Sequence, residues 1–141
     1  MKAAVVYWSG TGNTEAMAKA IAEGMKEAGA EVKLGDVSQF TKDSLLEYEK
    51  IALGCPAMGD EELEPNEFEP FYSDVEGSLS GKTVMLFGSY SWADGKWMEL
   101  WEDRASKKGI TVFDNGGIIC FEAPDSAMEA TLKSKGKAFI G

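Results

Sequence analysis

The sequence predicts an α/β fold: a doubly wound, five-stranded parallel sheet in the order 2-1-3-4-5, with five helices covering both faces. Three observations carry this. Five strand-like segments alternate with five helix-like ones along the 141 residues, the pattern of a parallel sheet wrapped on both sides. The first, third and fourth strand segments are apolar throughout, as strands buried on both faces are. Right-handed crossovers in that order bring the loops after those three strands to one crevice, the switch point beside strands one and three, and the chemically interesting residues gather in those loops.

The elements follow in order. Ala3-Ala4-Val5-Val6 is the first strand. Behind the loop from Tyr7 to Glu15, small and apolar residues recur at helical spacing (Met17, Ala20, Ile21, Gly24, Met25, Ala28), and Gly29 supplies the stop. Val32-Lys33-Leu34 with Val37 makes an alternating, edge-like second strand. Thr41 or Ser44 caps a short helix through Leu45, Leu46 and Tyr48, where Ser44-x-x-Glu47 fits a capping box. Ile51 to Cys55 is the third strand. Pro56 to Glu62 forms its loop, and a helix with Phe68, Phe71, Tyr72, Val75 and Leu79 on its face tolerates Pro70 in the first turn. Val84 to Gly88 is the fourth strand, followed by the loop Ser89 to Gly95. Asp94 caps the next helix, with Trp97, Leu100, Trp101 and Ala105 inward. Ile110 to Phe113 and Ile118 to Phe121 read as one strand in two pieces around Asp114-Asn115-Gly116-Gly117. Ser126-x-x-Glu129 opens a last helix bearing Met128, Leu132 and Phe139. With no repeat, linker or low-complexity tract, residues 1–141 read as a single domain.

The first loop, Tyr7-Trp8-Ser9-Gly10-Thr11-Gly12-Asn13-Thr14-Glu15, lies between a strand and a helix N-terminus. Free backbone N–H groups and the positive end of the helix dipole suit a phosphate there. A nucleoside-triphosphatase loop would need a lysine, and none lies between Lys2 and Lys19. A dinucleotide loop wants a third glycine, and counting from Gly10 that position is Glu15. What remains is Ser9, Thr11, Asn13 and Thr14 around two glycines. Hydroxyl, amide and N–H donors without a cation hold a phosphate that is never transferred, which is how a cofactor tail is anchored.

On these residues, the run from Val5 to Ile21, with Ser9-x-x-Gly12-x-Thr14 and Ala18 at its core, resembles the FMN-binding signature of the flavodoxins. Met58-Gly59-Asp60-Glu61 is similar to the loop beside the flavin N5 edge in the short-chain flavodoxins of anaerobic bacteria. Phe87 to Trp97 is similar to their stacking loop. The resemblance covers nearly the whole chain, and no insertion interrupts the final strand. It implies non-covalently bound FMN, held by Ser9, Gly10, Thr11, Gly12, Asn13, Thr14, Ala57, Met58, Gly59, Asp60, Glu61, Ser89, Tyr90, Ser91, Trp92 and Gly95. Trp92 and Met58 are the expected walls of the ring, since indole stacks and a thioether adapts to an aromatic face. Trp8 either covers the ribityl chain or packs. The family usually has glycine where this chain has Ser91 and Ala93; a side chain at positive φ there costs about 1–2 kcal/mol.

The resemblance further implies a low-potential one-electron carrier, not an enzyme, shuttling between semiquinone and hydroquinone in place of ferredoxin. In the family the peptide at the position of Gly59 turns its carbonyl toward the N5 proton gained with the first electron. One such bond, at roughly 1–1.5 kcal/mol, moves a one-electron potential by about 40–65 mV. The second electron makes an anionic ring beside a phosphate, near Asp60 and Glu61, in a chain of net charge −10, so that step is expected at low potential.

Bulk numbers fit this. Asp plus Glu number 24 against 14 Lys plus Arg, which disfavours nucleic acid and suits transient docking of a monomer onto basic-faced redox enzymes. No apolar run approaches a membrane span or a signal peptide, so a cytoplasmic protein is expected. Histidine is absent, which removes imidazole bases and metal sites, and Cys55 and Cys120 match no metal or redox spacing, reading as buried thiols. The rival reading, an FMN-dependent NAD(P)H oxidoreductase of the same fold, would need charge for a second phosphorylated ligand; Arg104 is the only arginine. A flavin-free signalling domain would place a phospho-acceptor aspartate where Ser9 and Thr11 stand.

Overall fold

The computed structural model describes residues 1–58, 62–91 and 94–141. The strands are β1 (Lys2–Tyr7), β2 (Glu31–Asp36), β3 (Lys50–Gly54), β4 (Thr83–Tyr90), β5 (Thr111–Val112) and β6 (Ile118–Phe121). The helices are α1 (Asn13–Glu27), α2 (Lys42–Leu45), α3 (Phe68–Val75), α4 (Lys96–Lys107) and α5 (Ser126–Ile140). All strand pairs are parallel in the order β2-β1-β3-β4-β5, and β6 also pairs with β4. β5 and β6 are therefore the two pieces of one edge position, interrupted by a 3-10 turn over Phe113–Asn115.

The strand pleat sorts the core into two layers. Ala4, Val6, Ile51, Leu53, Val84 and Leu86 face α3 and α4, where Phe68, Tyr72, Trp97 and Trp101 fill the space. Ala3, Val5, Ala52, Met85 and Phe87 face α1 and α5, against Met17, Ile21, Met25, Leu132 and Phe139. Each large apolar side chain so buried contributes about 1.5–3 kcal/mol. On the second face two glycines set the helix spacing. A Cβ at Gly24 would lie 2.0 Å from the Lys133 carbonyl oxygen, and one at Gly136 would lie 2.3 Å from that of Ile21.

Several local expectations change. β4 runs two residues past Gly88, because Ser89 and Tyr90 pair in register with Cys120 and Phe121; both belong to the strand rather than the loop. Val37 leaves β2 for a 3-10 turn capped by Asp36, whose carboxylate accepts the Ser38 N–H. The capping box of α2 is Thr41 with Ser44, not Ser44 with Glu47. The N-cap of α4 is Gly95 at φ 94°, without a side-chain cap from Asp94. Leu100 is exposed rather than inward.

Candidate cofactor pocket

At the carboxyl ends of β1, β3 and β4 lies a pocket of about 470 Å³, within the range of cofactor clefts. Its first wall is the loop into α1, supplying Trp8, Ser9, Gly10, Thr11, Asn13 and Thr14. Helix α1 begins at Asn13, so the last two already sit in its first turn. Gly12 is the N-cap at φ 97°, a conformation open to glycine and strained for other residues. The Ser9 hydroxyl folds back to accept the N–H groups of Gly12 at 3.0 Å and Glu15 at 3.3 Å. Of the four N–H groups that a helix start leaves unpaired, it thereby takes the first and the last. Those of Asn13 and Thr14 remain, and the side chains of Thr11 and Asn13 have no protein hydrogen bond among the described residues.

Thr14 lies deeper. It is 1% exposed, and its hydroxyl is 2.8 Å from that of Ser89, so it ties α1 to β4 at the pocket floor.

The second wall follows β3. Ala57 N–H donates to the Ser89 carbonyl at 3.0 Å, and Met58 forms an antiparallel bridge with Glu62, its two N–H···O bonds 3.0 and 2.9 Å long. Pro56, Ala57 and Met58 line the pocket. The third wall is Ser89, Tyr90 and Ser91. The Tyr90 ring packs between Trp97 and Phe121, with centroids 5.9 and 5.5 Å away. Trp97 is itself fixed by donating its indole N–H to the Cys55 carbonyl at 3.1 Å. Ser91 has no positive φ, so the replacement of glycine at that position introduces no backbone strain.

The structure thus brings Ser9, Gly10, Thr11, Asn13, Thr14, Ala57, Met58, Ser89, Tyr90 and Ser91 to one cavity. Gly12 and Gly95 stand behind it, shaping the starts of α1 and α4. Gly59, Asp60, Glu61 and Trp92 of the expected set lie outside the described residues, as does Ala93.

Three lining residues were not singled out or were left open. Trp8 is held by its indole N–H, which donates to Glu67 at 3.2 Å. Pro56 directly follows β3 and Cys55. Glu122 sits at φ 55° just beyond β6, its N–H donating to the Tyr90 carbonyl at 2.7 Å. The signal for Glu122 lay in strand order: the residue after the last strand joins the same crevice once β6 pairs with the end of β4.

Electrostatically, no lysine or arginine lines the pocket among the described residues, and Glu122 is its one charged side chain. A neighbouring cleft behind Trp8 and Ser9 collects Glu15, Asp36 and Glu67 around Tyr7. Burial, reinforced by the Glu15 and Asp36 carboxylates, pushes the Tyr7 phenol above its ordinary value. Burial pushes the Cys55 thiol far above its ordinary value.

These residues fit a flavin mononucleotide. Unused N–H, hydroxyl and amide donors at a helix start match a phosphate dianion, while Trp8, Met58 and Tyr90 offer apolar and aromatic faces to a flat ring.

A family profile described as Flavodoxin matches residues 5–134. The flavodoxin of Clostridium beijerinckii is 50% identical over 129 residues, 92% of this chain and 93% of that protein. The flavodoxin of Megasphaera elsdenii is 49% identical over 125 residues, 89% of this chain and 90% of that one. The solution structure of two-electron reduced Megasphaera elsdenii flavodoxin matches with a TM-score of 0.85 at 44% identity, covering 98% of both chains.

Proposed function

Because the chain belongs to the flavodoxin family and is an FMN-binding electron carrier rather than an enzyme, we propose that it works at the lower of its two one-electron couples, in place of ferredoxin. FMN, when bound, supplies the capacity to take and give electrons one at a time. The chain's own residues supply the rest. Ser9, Thr11 and Asn13, with the N–H groups of Gly10, Thr11, Asn13 and Thr14, hold the phosphate; Gly12 gives the loop its turn. Ala57, Met58, Ser89, Tyr90 and Ser91 border the ring, joined by Gly59, Asp60, Glu61 and Trp92 on the strength of the sequence pattern. Gly95 acts at a distance, by starting α4.

The observation that carries this reading is the pairing, in one cavity, of a cation-free donor loop with apolar and aromatic walls. A wall bearing Glu122 and a chain of net charge −10 disfavour a further negative charge, which places the second electron at low potential. Electrons pass to redox partners, and the acidic surface suits basic-faced ones that dock transiently. The carrier acts as a cytoplasmic monomer, one FMN-binding domain over residues 1–141. No described helix is long and apolar enough to cross a membrane.

An anaerobic reductive titration followed by visible absorbance tests this. Two well-separated one-electron steps are expected. A single two-electron step would contradict the proposal.

A further inference from the structure

Glu64 is 3% exposed, a carboxylate buried just ahead of α3. It takes three backbone N–H groups: those of Glu67 at 2.6 Å and Phe68 at 2.9 Å on one oxygen, and that of Asn66 at 2.9 Å on the other. Its own main chain is tied as well. Its N–H donates to the Cys55 sulfur at 3.3 Å, and its carbonyl accepts the Glu69 N–H at 2.9 Å. One residue therefore gathers the donors orphaned at the start of α3 and fixes them to the end of β3.

Both neighbours of this anchor lead to the cofactor pocket. Toward the N-terminus, Leu63 is buried and Glu62 is bridged to Met58 in both directions. Toward the C-terminus, Glu67 accepts the Trp8 indole N–H. Met58 and Trp8 line the pocket, and Glu64 does not. Two separate walls thus reach back, within two and three residues, to the same buried carboxylate.

We infer that Glu64 is a positioning residue for electron transfer: it holds the stem formed by the Met58–Glu62 bridge and, through Glu67, the Trp8 indole. The inference rests on the FMN reading above. Only a carboxylate accepts on both oxygens, whereas an amide turns an N–H₂ group toward at least one of the three donors. Glu64→Gln therefore releases part of the 62–67 segment without changing the pocket's own side chains. What the Met58 wall gives the ring on uptake of the first electron depends on how firmly that bridge is held.

The test is an anaerobic redox titration of FMN-loaded Glu64→Gln, Glu64→Asp and Glu62→Gln. Glu62→Gln removes a carboxylate from the same stem and leaves the backbone bridge to Met58. Loss of a nearby negative charge eases the second electron and barely affects the first; a loosened stem makes the first harder to add.

Glu64→Gln is expected to weaken first-electron uptake about tenfold, a fall of about 59 mV in that potential. Glu64→Asp keeps the charge but is one methylene short, and is expected to shift the same potential in the same direction. It carries the test if the glutamine variant does not fold. Glu62→Gln is expected to leave that potential in place. An unmoved first potential in folded, FMN-loaded Glu64 variants, or an equal shift in Glu62→Gln, overturns this inference and leaves the FMN reading standing. Failure of the unaltered chain to take up FMN overturns both.

Discussion

The hydroxyls of Thr14 and Ser89 lie 2.8 Å apart, buried, and join the first turn of α1 to the end of β4 beneath the cofactor pocket. Residues 75 positions apart in the chain thereby fix the donor loop relative to the ring-side wall. Thr14→Val keeps the shape and strands the Ser89 hydroxyl. It is expected to lower stability by about 1–3 kcal/mol, measured by urea unfolding of the apoprotein. Thr14→Ser, which keeps the hydroxyl, should lose clearly less.

The α1–α5 contact admits no side chain at Gly24 or Gly136, because the atoms opposite are backbone. Gly24→Ala and Gly136→Ala are each expected to destabilise the fold by about 1–3 kcal/mol through overpacking. Helix propensity alone would make both substitutions stabilising. Thermal unfolding decides the sign.

Arg104 spans from α4 to Glu69 at 2.7 and 2.8 Å and to Glu76 at 2.9 and 3.2 Å, with its guanidinium over the Tyr72 ring. Arg104→Met should lower stability at neutral pH by about 1–3 kcal/mol, short of a fully buried pair because Glu69 is 37% exposed. Equal urea midpoints for the two proteins at pH 7 would contradict it.

Acid sensitivity follows from two carboxylates. The Arg104 guanidinium holds the Glu69 carboxyl below its ordinary value against the opposing effect of burial. At Glu64 burial pushes up, and the N–H groups of Phe68, Asn66 and Glu67 together outweigh it. Both folded values are depressed, so the unfolded chain binds protons first. The stabilisation is complete above the ordinary Glu value of about 4.3 and is lost as pH falls through the lower folded values. Urea midpoints measured from pH 6 downward should drop across that window, and drop less steeply in Glu69→Gln.

The strands, the helix number and the donor loop were legible because they rest on local signals: apolar runs, helical spacing, and hydroxyls and glycines ahead of a helix. Strand order followed from their alternation and the right-handed crossover rule. What was missed depends on pairing across the sheet. Ser89 and Tyr90 follow Gly88 in a run rich in serine, and they extend β4 because Cys120 and Phe121 lie alongside. Glu122 enters the pocket for the same reason. Asp94 looked like the better cap, yet the N-cap of α4 is Gly95, whose positive φ sets the entry of the chain into the helix. Glu64 gave no signal as a cap, since two of its three N–H partners, Asn66 and Glu67, lie in the loop ahead of α3.

Whether neutral donors alone hold the cofactor by its phosphate is read most directly from the affinities of the apoprotein for FMN and for riboflavin, by quenching of flavin fluorescence. One FMN per chain is expected, with riboflavin bound roughly a hundredfold or more weakly, as the loss of several charge-assisted hydrogen bonds requires. Equal affinities for the two flavins, or no uptake of FMN, would contradict it.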